Sequence, residues 1–207
     1  MNKLERKIID LSYEHKLSHI GSNLVTVGFI DHTYKAKEKN ASVVLANAHA
    51  GLALYVVLEK LGKCDAEEML EKHGIHSTQD LEHGVEVSGG SLGQAETIAV
   101  GMAMADRKKN VYLITSDGAC SEGAVWEALR IARDQKLENL RVAVIANGYG
   151  AYGEIDTEDL DTRLNSFYPT LVVRANMFKW PDWLQGLKAH YAIMNEEMYK
   201  EVTDGTY

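Results

Sequence analysis

Cysteine and proline are both scarce in this sequence. Its 207 residues include two cysteines, Cys64 and Cys120, and two prolines, Pro169 and Pro181. Two cysteines are too few for a disulfide framework or a cysteine zinc site, so we expect reduced thiols. Both prolines lie near the C-terminus, so no proline-rich linker precedes them. The sequence also contains no repeat and no low-complexity segment. Length and composition therefore predict one domain over residues 1–207.

Runs that mix basic and aromatic residues, and long apolar runs, are also missing. The formal net charge is −8 and the pI about 5.5, which argues against a nucleic-acid surface. No apolar run reaches the roughly 20 residues that a membrane span needs, and the N-terminus has no signal-peptide core. We therefore expect a cytoplasmic protein that binds neither nucleic acid nor a membrane.

Short apolar runs alternate with helical patterns along the chain. Strands are predicted at the start of 42–62 and at 110–115, 141–147 and 169–175. Helices are predicted at 3–17, at the end of 42–62 (closed by Gly62), after the glycine turn that opens 89–107, and at 121–137. Strands that are apolar throughout and alternate with helices indicate an α/β fold, with a parallel sheet and helices on both faces.

Two oxygen-bearing residues follow consecutive predicted strands. Asp117 ends "VYLIT", Asn147 ends "VAVIA", and a helix from about Glu122 to Gln135 joins them. Because the carboxyl ends of parallel strands meet at one edge, both side chains should reach one crevice. A carboxylate, an amide oxygen and a backbone carbonyl make a partial Mg²⁺ shell, and Gly118 lets the backbone approach a phosphate. Ordinary turn chemistry explains Asp-Gly and Asn-Gly equally well, so both interpretations stay open at this point.

The same stretch resembles a known signature. "SDGACSEGAVWEALRIARDQKLENLRVAVIANG" is similar to the thiamine diphosphate signature of the transketolase family, with the Asp-to-Asn separation matching without gaps. Similar family segments are "LSHIGSNL", "VLANAHAGLALYVVL", "IHSTQDLEHGVEVSGGSLGQAETIAVGMAMA", "PTLVVRA" and "AHYAIMNEEMYKE". The resemblance runs in order from about residue 5 to residue 201. It implies a diphosphate-binding domain of the PP type, with thiamine diphosphate and Mg²⁺ as cofactors.

The resemblance also implies a role for individual residues. The Mg²⁺ ligands would be Asp117, Asn147 and the carbonyl oxygen of Tyr149. The residues that contact the cofactor would be His49, Gly90, Leu92, Gly118 and His190. Proton transfers and contacts with substrate hydroxyls would fall to His19, His76 and His190. Glu122, beside the cofactor, and Glu127 would belong to a carboxylate network between subunits.

Other residues have simpler interpretations. From the residues alone, a histidine in a predicted turn either lines a cavity or is structural, and no His-x-x-His or Cys-x-x-Cys spacing predicts zinc. We take four histidines as surface residues: His15, His32, His73 and His83. Helical spacing places Trp126 and Leu129 in the core.

The sequence departs from the family pattern at several points. Ser116 replaces the first glycine of GDG, Ile145 and Ala146 precede the expected ligand Asn, and Ala95 replaces the glycine after "LGQ". The segment before "PTLVV" is shorter than the family leads us to expect. We therefore predict that a helix and a strand are missing there, and that the cofactor loop around residues 151–168 is remodelled.

The predicted function follows from the resemblance. In this family, a second, pyrimidine-binding domain supplies the catalytic glutamate, and we expect this chain to lack that domain. The chain then resembles the N-terminal subunit of a split transketolase, which transfers a ketol unit between sugars or sugar phosphates together with a separate C-terminal subunit, as α2β2. Two alternatives remain: the α subunit of a 2-oxoacid dehydrogenase, and a non-catalytic scaffold. A Rossmann domain is disfavoured because no G-x-G-x-x-G opens the first βα turn.

Overall fold

A computed structural model of the chain describes residues 1–150, 153–175 and 179–205. The helices are α1 (Lys3–Glu14), α2 (Ile20–Ala36), α3 (Gly51–Lys60), α4 (Ala66–His73), α5 (Gln94–Ala105), α6 (Gly123–Asp134), α7 (Thr157–Phe167), α8 (Gly186–Ala189) and α9 (Glu196–Asp204). The strands are β1 (Ser42–Leu45), β2 (Val111–Ser116), β3 (Leu140–Ala146), β4 (Tyr149–Gly150), β5 (Gly153–Glu154) and β6 (Thr170–Arg174).

Four parallel strands form the central sheet, in the order β1-β2-β3-β6. Most side chains of β1, β2 and β3 are apolar and buried, as strands covered on both faces require, whereas most of β6 is exposed or only partly buried. One core packs α1, α2 and α3 against the sheet around Val43, Ile114 and Ile145. The second core packs α5, α6 and α7 against the opposite face around Leu113 and Val144. The prediction of an α/β protein with helices on both faces is confirmed.

Strand order explains which helices lie on which face. The strands are adjacent in the order in which they occur along the chain, so each crossover advances in the same direction. Right-handed crossovers then place their helices on one face, where α6 and α7 are found. The opposite face is covered by α1, α2 and α3. None of these helices connects β2 to β3 or β3 to β6.

Two helix predictions need correction. The first helix ends at Glu14 rather than at 17, because Lys16 adopts a left-handed conformation with φ of 54°. Helix α2 was not predicted, since apolar residues lie on most of its sides and give no stripe of period 3.6. Within the residues that the structure describes, no helix combines the length and apolarity of a membrane span.

The prediction for the segment near 151–168 is partly wrong. Residues 151–152 lie outside the described residues, but α7 fills most of the remainder. The helix is present because Asp156 caps it, accepting hydrogen bonds from the backbone N–H groups of Glu158 and Asp159. Among the described residues between β5 and β6 there is no strand, so β6 pairs directly with β3. The predicted loss of the helix is therefore wrong, whereas the predicted loss of a strand stays a prediction.

A buried asparagine joins the end of α5 to the start of β3. The Asn139 side chain is 6% exposed and donates to the carbonyl oxygens of Ala103, Asp106 and Lys109 at 2.9 to 3.0 Å. We expect Asn139→Ala to lower the free energy of unfolding by about 2 kcal/mol, because it leaves buried carbonyls unpaired. Urea unfolding measures this, with the exposed Asn40→Ala as the matched control. A loss no larger than that of Asn40→Ala would contradict the assignment.

Candidate active site

Asp117 lies at the carboxyl end of β2 and is 2% exposed. One carboxylate oxygen accepts from the backbone N–H of Gly118 at 2.9 Å. The other accepts from the N–H groups of Asn147 and Gly148, at 2.8 and 2.7 Å. This carboxylate thus holds the turn after β3 against the turn after β2.

The turn after β3 supplies two further oxygen atoms. The Asn147 side-chain oxygen accepts from the backbone N–H of Tyr149 at 2.9 Å, which fixes the side chain at this edge. The Tyr149 carbonyl oxygen would lie 3.7 Å from a methyl group built on Gly118, and the Gly150 Cα 3.4 Å. These are ordinary contact distances, and Gly118 has a negative φ of −58°. The fold itself does not require glycine there, which favours a close approach of something other than the chain.

A cavity of about 440 Å³ opens at this edge of the sheet. It brings together most of the residues that the sequence predicted: His19, His49, His76, His190, Gly90, Leu92, Asp117, Gly118, Asn147 and Tyr149. Glu122 and Glu127 do not line this cavity; Glu127 is exposed on α6 and lies 3.9 Å from Arg130. Their place in a carboxylate network between subunits stays a prediction.

Four histidines from separate parts of the chain converge in this cavity. The His19 ring centroid lies 4.2 Å from that of His190, 5.4 Å from that of His49 and 6.0 Å from that of His76. Main-chain contacts fix this arrangement, because the His19 N–H donates to the His190 carbonyl oxygen at 2.9 Å. The His19 backbone is left-handed, with φ of 62°. Such a conformation in a histidine is uncommon and occurs mostly where the surroundings enforce it.

Asn23 connects two of these histidine segments. Its side-chain amide donates to the carbonyl oxygens of His19 and His49, at 3.0 and 3.2 Å. Its side-chain oxygen accepts from the backbone N–H of Ala53 in α3 at 2.8 Å. Asn23 is 2% exposed, so these bonds are shielded from water. We did not predict this residue, since an asparagine within an unrecognised helix gives no signal in the sequence.

Burial keeps three of these histidines neutral. Burial first, and the neighbouring histidines second, lower the pKa of His19 to about 4 and that of His49 to about 3. Burial also lowers the pKa of His190. At neutral pH these three rings are therefore uncharged, and each offers one N–H donor and one nitrogen acceptor. The Ser18 hydroxyl lies 2.6 Å from the His19 Nδ1 atom and occupies one of these nitrogens.

The residues at the Asp117 edge fit a divalent cation. Burial raises the pKa of Asp117, while the three backbone hydrogen bonds lower it, and no described residue forms an ion pair with it. A buried carboxylate beside an amide oxygen and a backbone carbonyl is the oxygen-only set that Mg²⁺ selects. The Asn47 side-chain oxygen, also in this cavity, is buried and accepts no hydrogen bond from the described residues. That acceptor suits an amine or hydroxyl donor on a bound molecule, and the sequence did not predict it.

A second acidic residue positions the loop that carries His76 and Gly90. Asp80 accepts from Lys72 Nζ at 2.8 Å and lies 3.0 Å from His73 Nε2 and 2.9 Å from His83 Nδ1. Hydrogen bonding from Lys72, then from the two histidines, holds the pKa of Asp80 well below its usual range. The expectation of a surface His73 is wrong: its side chain is 8% exposed because it packs against this carboxylate.

Known proteins resemble the chain in sequence over most of its length. Residues 30–170 match the family described as transketolase, thiamine diphosphate binding domain. The chain belongs to the transketolase family. Among curated relatives, it is 32% identical over 163 residues to one subunit of the apulose-4-phosphate transketolase of Phocaeicola vulgatus, covering 69% of this chain and 57% of that protein. It is 36% identical over 108 residues to the 6-deoxy-6-sulfo-D-fructose transketolase subunit SqwG of a Clostridium species, covering 47% and 39%.

Solved transketolases share the fold. The chain superposes on the transketolase from Leishmania mexicana with a TM-score of 0.76 at 20% sequence identity, covering 99% of this chain and 41% of that one. The predicted thiamine diphosphate-binding fold is thereby confirmed. The chain spans about half the length of the first curated relatives, 57% of one and 50% of another.

Acid should destabilise the fold through the histidine cluster. Unfolded imidazoles bind protons below about pH 6.5, while the buried His49 stays neutral down to about pH 3 and His19 to about 4. The stability that neutral histidines give is full above pH 6.5 and falls as the pH drops toward 4. His49 contributes at most about 1.4 kcal/mol of unfolding free energy per pH unit, and the more accessible His19 contributes less.

Urea unfolding at pH 7 and 4.5 measures this pH dependence of stability. His49→Gln should reduce the dependence, and the exposed His32→Gln should not. An unchanged dependence in His49→Gln would refute the assignment.

The Asp80 contacts generate a separate prediction. Asp80→Asn removes the charge that holds Lys72, His73 and His83, so the loop over residues 75–90 should open more often. We expect its backbone amides to exchange with deuterium about tenfold faster, as measured by mass spectrometry. The exposed Glu82→Gln provides a control on the same loop. Equal exchange in the wild type and Asp80→Asn would show that the backbone contacts alone hold the loop.

Proposed function

We propose that this chain is the thiamine diphosphate- and Mg²⁺-binding subunit of a split transketolase-type enzyme. The enzyme would transfer a ketol unit between sugar or sugar phosphate substrates. The observation that carries the proposal is one cavity that holds both Asp117 with Asn147 and a cluster of four histidines. Membership of the transketolase family and relatives named as transketolase subunits support it.

The metal and the diphosphate would bind at the edge formed by β2 and β3. Asp117, the Asn147 side chain and the Tyr149 carbonyl oxygen would hold Mg²⁺, which completes its shell with diphosphate oxygens. Gly118 would let the diphosphate approach the backbone. When bound, thiamine diphosphate would supply the electron sink that stabilises a carbanion at the donor's former carbonyl carbon. The protein supplies position and charge at this edge.

The histidines would handle protons and substrate hydroxyls. His19, His76 and His190 are close enough to contact one small polar molecule together. A neutral imidazole can accept a proton from a sugar hydroxyl at one nitrogen and donate at the other. The low pKa values of His19 and His49 also keep these two rings free of positive charge. His49 would contact the diphosphate end of the cofactor through hydrogen bonding rather than through charge.

Activity would require a second polypeptide. The family resemblance assigns the catalytic glutamate to a pyrimidine-binding domain, and the proposal places that domain on a separate C-terminal subunit, in an α2β2 assembly. We expect the tagged chain, purified from its source with thiamine diphosphate and Mg²⁺, to retain such a subunit in stoichiometric amount, as read by native mass spectrometry.

The reaction class can be tested on that complex. A ketose donor with an aldose acceptor should give ketol transfer, whereas a 2-oxoacid should give no turnover. Turnover of the 2-oxoacid alone would instead favour a dehydrogenase α subunit. Full cofactor binding with neither reaction would favour a scaffold.

The role of Asp117 has a direct binding test. Asp117→Ala should weaken the affinity of the complex for Mg²⁺–thiamine diphosphate by more than about 100-fold, because it removes a direct metal ligand. Isothermal titration calorimetry measures the affinity without depending on turnover. The control is Asp134→Ala, which removes an exposed carboxylate at the end of α6. Wild-type affinity in Asp117→Ala would place the metal elsewhere.

A further inference from the structure

A second cavity lies away from the histidine cluster. It has a volume of about 1050 Å³ and runs between α2 and the amino-terminal halves of β2, β3 and β6. Its apolar lining includes Phe29, Tyr112, Ala143 and Leu171. We call this cavity the sheet groove. It contains none of the residues assigned to the cofactor or the substrate.

The strand order explains why the sheet groove exists. The crossover helices α6 and α7 pack on the other face and reach the groove only at their carboxyl ends, through Arg133 and Asn165, so α2 is the helix that borders it on this face. Leu171, on the edge strand β6, is 57% exposed, whereas Val173, two residues later on the same face, packs against the core. A parallel sheet normally has both faces covered. The sheet groove is therefore the part of one face that the described residues leave uncovered.

The rim of the sheet groove is basic although the chain is acidic. Arg133, Lys136 and Arg141 line it, with Glu138 as its one acidic residue among those described. Arg133 pairs with Asp134 at 3.3 Å, but neither Lys136 nor Arg141 forms an ion pair with a described residue. Glu38 accepts from the groove residue Tyr112 at 3.2 Å, so carboxylates lie beside these cations as well. Lys136 and Arg141, which have no ion-pair partner within 4 Å among the described residues, favour an occupant with acidic groups.

We propose that the sheet groove binds an amphipathic helix of the partner chain, with an apolar stripe flanked by acidic residues. The inference rests on the proposed function, because the partner is the separate subunit required there. Such a helix would cover the uncovered part of this face of the sheet. Its apolar stripe would contact Ala143 and Leu171, and its carboxylates would pair with Arg141 and Lys136. A small ligand would leave Leu171 in water at the sheet edge, so a longer occupant fits better.

Amide exchange of the purified complex tests the location. With the partner bound, backbone amides at 29–36, 137–143 and 169–174 should exchange at least about tenfold more slowly than in the chain alone. A captured partner that leaves these segments unprotected would overturn the sheet-groove proposal and leave the proposed function standing. Protection of these segments in the chain alone, at the concentration where it self-associates, would assign the groove to a second copy and also overturn the proposal. Recovery of no partner would overturn both.

Matched variants test the contacts. Leu171→Asp should weaken the affinity between the two chains by about tenfold or more, because it removes an apolar contact. Arg141→Glu, tested separately, should weaken it as much, because it reverses the charge that faces the acidic residues of the helix. Both residues are exposed, so the isolated variants should fold with unchanged circular dichroism. Leu81→Asp is the control, since Leu81 is 66% exposed and lies outside the groove. Wild-type assembly by both groove variants would refute the proposed occupant.

Discussion

The hydrogen bonds of the Asp117 carboxylate are the constraint on which the site depends. One buried side chain accepts from the backbone on both sides of the β2–β3 edge, so two turns that are 30 residues apart behave as one unit. Without a cation, this carboxylate is costly to bury, and its pKa is raised. The fold tolerates that cost because the backbone amides partly stabilise the charge. A divalent cation that binds this carboxylate would remove the unfavourable free energy of burying the charge, which favours cation binding.

Burial also sets the charge of the histidine cluster, because it lowers the pKa of His19 and His49 whereas it raises the pKa of Asp117. Burial keeps His19 and His49 neutral, so mutual repulsion between them is avoided at neutral pH and the cavity keeps its donors and acceptors. The arrangement depends on backbone contacts and on the uncharged Asn23 rather than on salt bridges. An anionic cofactor would then be attracted chiefly by a metal ion and by backbone N–H groups, while His19, His76 and His190 would remain available for hydroxyl groups of a substrate.

Much of this could be read from the sequence, and the exceptions have physical reasons. The positions of Asp117 and Asn147 at one edge of the sheet were predictable because each follows a mainly apolar strand, whereas their proposed roles came from the family resemblance. Helix α2 was not, since its residues are buried on several sides and its apolar pattern has no clear period. His73 was misplaced because its burial depends on Asp80, a contact that spans a loop. No local pattern encodes the hydrogen bonds of Asn23 or the buried Asn47 oxygen that accepts no hydrogen bond from the described residues.

The segment before β6 bears differently on two parts of the sheet: the carboxyl ends of β2 and β3, where the site lies, and the edge strand β6. The site needs only that β2 and β3 be neighbours, because Asp117 and Asn147 end those two strands. The direct pairing of β6 with β3 therefore leaves the proposed ligand set intact, and α7 keeps one face covered. The uncovered region falls on the opposite face, at the edge strand and away from the proposed metal ligands. The segment before β6 thus leaves the residues proposed for the chemistry in place and lies beside an uncovered apolar surface, the kind of feature that commonly marks an interaction site.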